Sequence, residues 1–381
     1  MKKSKVCAIL NLTEPDQQLQ PLTAERPLAM MPFASRYRLL DFNLSNIAYA
    51  GARSAALFIS RSGRSVYDHI RSGKPWNLDT YSGGIFTFSQ VDHKRALYEA
   101  GSRMGAFYDD HRAFVKNSNA KYVFVAGSKV IAMVSLKEII ESLEESGLKA
   151  VRIYSRVPRS FIEYHPDERM VVLDDEGNVS DLLLEGVTPI RGNEVLYDLN
   201  MTVIESDLLL DMLDRAEAED INDALDVVVD HYLEDYTVKG FEHKGYVANI
   251  DSIQSYFNAS MTMLEAENFG ELLHGTIPVL TKGQNGVPVY YARGSEVRSA
   301  NIATGCEIFG QVVHSQLSRK VRVEAGASID HSIIWQNCHI GKGATIRYAI
   351  LDKNVTVEPG ATLIGVPENP IIVGKGETIK A

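Results

Sequence analysis

Residues 323–363, VEAGASIDHSIIWQNCHIGKGATIRYAILDKNVTVEPGATL, return to the same pattern every 17 positions. Val323, Ile340 and Val357 stand one interval apart, as do Ile329, Ile346 and Leu363. Gly326-Ala327-Ser328, Gly343-Ala344-Thr345 and Gly360-Ala361-Thr362 recur beside them. Along Cys306, Val312, Leu317, Val323, Ile329, Ile334, Ile340, Ile346, Leu351, Val357 and Leu363 the aliphatic steps are 6, 5, 6, 6, 5, 6, 6, 5, 6 and 6. Neither the period of an α-helix nor the alternation of a sandwich strand produces that series. A three-sided coil with one inward aliphatic residue per side does. The C-terminal part is therefore expected to be a left-handed parallel β-helix of hexapeptide repeats.

Upstream the period differs. Short apolar runs at Val6–Leu10, Ala55–Ser60, Tyr122–Ala126, Ala150–Tyr154 and Asn200–Ile204 alternate with amphipathic segments. This is the pattern of an α/β domain whose mostly parallel sheet is covered on both faces. Ser135 with Glu138 starts a helix that carries Leu136, Ile139, Ile140 and Leu143 on one stripe and stops at Gly147. Met170–Leu173 and Val179–Leu184 flank a turn at 174–178 and predict a hairpin, and helices are expected at Asp207–Glu217, Ala224–Leu233 and Ile253–Glu267. The division that follows is an α/β domain over 1–270, a linker over 271–296 and the β-helix over 297–381.

The chain has 381 residues and a formal net charge of −10, which speaks against general binding to nucleic acid or to an anionic membrane. No apolar run reaches the length of a membrane span, and Met1-Lys2-Lys3-Ser4-Lys5 leads into a strand, so a cytoplasmic protein is expected. Cys7, Cys306 and Cys338 are far apart and form no C-x-x-C pair; they read as small apolar residues, not as a disulfide or zinc set. Basic residues gather at Arg53, Arg61, Arg64, Arg71 and Lys74, either as a solvated face or as a small-anion or partner site.

Pro21-Leu22-Thr23, Arg26, Pro32-Phe33 and the run Tyr37-Arg38-Leu39-Leu40-Asp41-Phe42-Asn43-Leu44-Ser45-Asn46 resemble the entrance segment of the glucose-1-phosphate adenylyltransferase (ADP-glucose pyrophosphorylase) family. The resemblance extends to the central strand, to Gly245–Ser252 and to the β-helix, and it implies a nucleotidyltransferase-like, Rossmann-type first domain. Transfer of an adenylyl group rests on positioned phosphates, Mg²⁺ and fixed positive charge. The positions that supply these in the family are altered here. The glycine-rich phosphate loop is replaced by Thr13-Glu14-Pro15-Asp16-Gln17-Gln18-Leu19, with no glycine and with Gln18 at the arginine position. Leu28 stands at the activator-linked lysine, Gly186 follows Glu185 where a Glu-Lys pair holds the sugar phosphate, and Gly101-Ser102-Arg103-Met104 replaces a Gly-Thr-Ala-Asp segment. Ser128 and Asn249 replace the two metal-binding aspartates. A hydroxyl and an amide are poor substitutes for carboxylates toward a hard dication.

These losses make the chain resemble the non-catalytic D-type (GlgD-like) subunit of the family. That resemblance implies a hetero-oligomer, in the family a tetramer, with a catalytic subunit that uses Mg²⁺, and a possible homo-oligomer when alone. No cofactor is expected on this chain. Residual ligand or anion contacts are assigned to Arg38, Arg53, Arg61, Arg64 and Glu185, and a partner surface to Phe309 and Trp335, the latter expected to point out of the coil. Two alternatives stand beside this reading. One is an active adenylyltransferase with an unusual pocket. The other is a hexapeptide-repeat acyltransferase or scaffold, for which His314, His331 and His339 are the candidate bases. His314, His331 and Tyr348 follow one another at 17-residue intervals and are expected to form a surface stack.

Overall fold

The computed structural model describes residues 4–59, 63–89, 107–165, 167–184, 192–283 and 285–381. Among these, the main sheet runs in the order Gly84–Ser89, Ser54–Ile59, Val6–Leu12, Tyr122–Ala126, Glu194–Glu205, Ala150–Pro158, Val238–His243, Asn178–Leu184 and Arg169–Leu173. The first four strands pair in parallel. Glu194–Glu205 then runs antiparallel to both of its neighbours. Val6–Leu12 is buried throughout, and its side chains alternate between two cores: Val6, Ala8 and Leu10 enter one, Cys7 and Ile9 the other. A central strand covered on both faces carries such a run, apolar without a break from Val6 to Leu10.

Local sequence chemistry sets the flanking elements. In the helix Leu136–Ser146 the hydroxyl of Ser135 accepts the Glu138 N–H at 3.4 Å, and Gly147 closes the last turn at φ +69°. The hairpin forms as Arg169–Leu173 and Asn178–Leu184. The expected helix over Ile253–Glu267 ends at Thr262, and a second begins at Ala266 because Glu265 is extended. No helix among the described residues is long and apolar enough to cross a membrane.

The β-helix stacks three parallel sheets of six, five and five strands. One ladder carries Ile308, Val323, Ile340 and Val357; a second carries Val312, Ile329, Ile346 and Leu363; the third carries Leu317, Ile334 and Leu351. Cys306 therefore belongs to another buried row, with Val321, Cys338 and Val355, and Ile308 takes the ladder position expected for it. Each corner is left-handed: Gly326, Gly343 and Gly360 turn one, Lys320, Asn337 and Asn354 the next, and His314, His331 and Tyr348 the third. The coil starts inside the stretch read as a linker, since Tyr290–Tyr291 pairs with Glu307–Ile308.

Trp335 leaves the coil as expected but is not offered to a partner. It is fully buried against the α/β domain, where its indole N–H donates to the Tyr256 hydroxyl at 2.9 Å and the Arg26 guanidinium lies 4.9 Å from its ring centroid. Arg26 also grips Asp352 with two hydrogen bonds of 2.9 and 3.0 Å, both side chains being buried. A large aromatic ring beside a closed ion pair is the chemistry of an internal seam between the two domains.

Candidate functional site

The entrance segment is built as a frame. Asp41 is fully buried and accepts the Arg38 backbone N–H at 2.9 Å and the Thr281 hydroxyl at 2.6 Å, while His69 Nε2 lies 2.5 Å from its other oxygen. Asn43 donates to the Gly127 carbonyl at 2.8 Å, and Asn46 both donates to Ala132 O at 3.0 Å and accepts from Val134 N–H at 3.1 Å. These side chains tie the helix Leu39–Tyr49 to the end of the central strand Tyr122–Ala126. The resemblance in this segment thus resides in groups that hold the pocket's walls.

At that strand end the pocket is filled from within. Glu14 is half-buried as a residue, but its carboxylate is closed in, accepting the Ser128 N–H at 2.7 Å, the Ser128 hydroxyl at 2.5 Å and the Lys129 N–H at 3.1 Å. Burial pushes the Glu14 carboxyl above its ordinary pKa, against the lowering effect of those donors. Its tip presses so near Gly127 that a Cβ there would collide with it. The remaining charges neutralise one another. Lys129 pairs with Glu168, which carries its pKa upward against burial. Burial raises and a 2.6 Å hydrogen bond from His165 lowers the Asp251 pKa, with a downward net. Ser128 and Asn249 are buried, and neither amide atom of Asn249 has a partner. No three carboxylate, histidine or cysteine ligand atoms converge here among the described residues, so this donor set does not fit Mg²⁺.

The other expected pocket positions separate. Leu28 is a core residue, packed with Leu19, Leu22, Met31 and Phe33, and Gln18 is exposed on the turn Gln17–Leu19. Glu185, Gly186, Arg61 and the segment 101–104 lie outside the described residues.

Nor do the described members of the assigned basic set, Arg38, Arg53 and Arg64, share a site. Arg53 lines a different cavity with Ser54, Ser82 and Phe114, and the Arg64 side chain is 88% exposed beside Asp68. Of these three, Arg38 alone lines a cleft of about 890 Å³ between the two domains. Arg36, Arg38, Arg71 and Lys282 line it from one side, and Arg319, Lys320, Arg322 and Lys353 from the β-helix. Asp68 and Glu307 are the two carboxylates among its lining residues. Burial brings the Arg38 guanidinium down to about 10, and its Nη1 is buried without a partner. Burial and the nearby Arg38 and Arg26 push the Lys353 ammonium down to about 7. In a chain of net charge −10 this is a strongly cationic hollow suited to a small polyanion. Its signal in the sequence was the run Arg319-Lys320-Val321-Arg322, which the coil turns toward the entrance segment.

Comparison with known proteins bears on both domains. Residues 16–160 match the family described as nucleotidyl transferase, and residues 289–369 match the GlmU-like, C-terminal hexapeptide family. The chain is similar to the glycogen biosynthesis protein GlgD of Geobacillus stearothermophilus, 32% identical over 375 residues that cover 98% of this chain and 97% of the relative. The chain belongs to the GlgD family. GlgD of Bacillus subtilis is 26% identical over 331 residues, covering 86% of this chain and 84% of that one. The glucose-1-phosphate adenylyltransferase of Fusobacterium nucleatum is 24% identical over 335 residues, covering 86% and 85%. GlgD kinship therefore spans the α/β domain, the seam and the β-helix together.

Proposed function

We propose that this chain is the non-catalytic regulatory subunit of a glucose-1-phosphate adenylyltransferase. In this reading it serves glycogen biosynthesis in the cytoplasm by assembling with, and activating, the catalytic subunit that makes ADP-glucose from ATP and glucose 1-phosphate. The observation that carries the reading is Glu14, whose carboxylate takes the backbone donors of Ser128 and Lys129 at the strand end where a phosphate would need them. Loss of a single preorganised electrostatic contact typically lowers a rate about 10²- to 10³-fold, and here an anion stands in the place of an anion. Mg²⁺ belongs to the catalytic partner, and this chain needs no cofactor of its own.

Activation then acts through contact. A subunit that favours the partner's competent state by about 1 to 3 kcal/mol raises activity roughly 5- to 150-fold. Of the two aromatics assigned to a partner surface, Phe309 remains for such an assembly, half-buried under Arg322 and next to the exposed Tyr290, with a tetramer as the expected form. Three assays under one set of conditions decide the matter: this chain, the catalytic subunit, and the two mixed. Background turnover by this chain and a rise on mixing are expected. Turnover by this chain at the catalytic subunit's level overturns the reading.

A further inference from the structure

The third corner of the β-helix carries a cluster that neither the strand-end pocket nor the cationic cleft uses. His314 and His331 occupy equivalent corners of successive coils, at φ +40° and +42°, with ring centroids 4.8 Å apart and planes inclined by 27°. Backbone hydrogen bonds fix both positions: His314 N–H donates to Arg298 O at 3.1 Å and His331 N–H to Val313 O at 3.2 Å. Asp330 completes the group. Its Oδ1 lies 2.7 Å from His331 Nδ1, and its Oδ2 lies 3.2 Å from Arg347 Nε. One ring nitrogen from each histidine and one Asp330 oxygen all fall within 4.8 Å of one another.

We infer that His314, His331 and Asp330 form a binding site for one divalent ion of the zinc class. Two imidazoles and a carboxylate are the donor set of borderline d-block cations, whereas Mg²⁺ prefers oxygen ligands alone. The parallel ladder holds the three donors in register, so little ordering remains for the ion to impose. The histidines face a groove of about 530 Å³ whose opposite wall includes Thr262, the last residue of the helix Ile253–Thr262, and Glu265, which precedes the helix Ala266–His274. The site therefore lies where the coil meets the α/β domain, beside the groove. Histidine also tolerates left-handed backbone, which by itself accounts for the residue type at the corner. It does not account for a carboxylate aimed at one of two stacked rings.

The test is titration of the full chain with Zn²⁺ by calorimetry, repeated with Co²⁺ followed by visible absorption. One ion per chain is expected, undisturbed by excess Mg²⁺. The double variant His314→Asn/His331→Asn keeps residues that accept the left-handed corner, and circular dichroism checks that it folds. It should lose stoichiometric binding, and Asp330→Asn, which removes a charged ligand, should weaken binding by at least about tenfold, no less than the loss of an outer-shell partner costs. Equal Zn²⁺ affinity in the double variant, or no stoichiometric binding by the unmodified chain, overturns the site.

Discussion

Glu14 shows how one side chain can take up the backbone donors at a strand end. Three donors converge on its carboxylate, and their geometry is that of an anion site with the anion built in. Its truncation leaves the Ser128 and Lys129 N–H groups without their acceptor, so Glu14→Ala should destabilise the chain by about 1 to 3 kcal/mol in urea unfolding. The pH dependence has a definite sign. Because burial raises the folded-state pKa, the stability that Glu14 contributes is fully present below its unfolded pKa and falls as pH rises through the folded value. The difference between the unmodified chain and Glu14→Ala should accordingly be larger at pH 4 than at pH 7. A difference that grows with pH would mean that the donors, not burial, dominate at this carboxylate. Asn249 is a contrasting residue, buried and unpartnered, where the neutral side chain avoids the charge an aspartate would bring but gains no hydrogen bond of its own.

At the scale of elements, stability in the β-helix comes from inward ladders and very little from the outward residues between them. Ile340 is fully buried between Val323 and Val357, whereas its neighbour His339 faces solvent beside Glu324. Ile340→Ala should therefore cost about 2 to 5 kcal/mol, and His339→Ala no more than about 0.5 kcal/mol, when the two are compared by urea unfolding. Near-equal effects would contradict the ladder. This coil was legible in the sequence because each inward residue repeats on a fixed period, and the His314, His331, Tyr348 stack followed from the same arithmetic, with rings 4.8 and 5.1 Å apart. The helix Leu39–Tyr49 was not legible as a helix. It is buried at every position from Leu39 to Ile47, so no stripe marks its period and only its motif stood out. Trp335 misled for a related reason: pointing out of one element meant entering the seam with another. Ser128 and Asn249 could be picked out in the sequence by the resemblance alone. Glu14's role could not, since its contact with Ser128 spans 114 residues.

For the whole molecule, the seam of Arg26, Asp352, Trp335 and Tyr256 decides what the interdomain cleft can be. It clamps the β-helix so that Arg319, Lys320 and Lys353 face Arg36, Arg38 and Arg71 across one hollow. Like charges gathered there raise each other's cost, and Lys353 yields first, burial together with Arg38 and Arg26 bringing it down to about 7. Near neutral pH a substantial share of the Lys353 side chains is thus uncharged. An entering anion reverses the balance and draws a proton onto that amine. Sulfate is the suitable probe, because its own charge does not change in this range. Its binding should be accompanied by proton uptake, seen as different calorimetric heats in two buffers of unequal ionisation enthalpy at pH 7.5. Affinity should fall as pH rises above about 7, by no more than tenfold per unit for a single linked proton. Lys353→Gln should flatten that pH profile while leaving residual binding through the arginines, whose charge persists. An unmodified chain whose sulfate affinity is constant from pH 6.5 to 9 would show that the amine does not face the bound ion, and that the cleft's cations act without it.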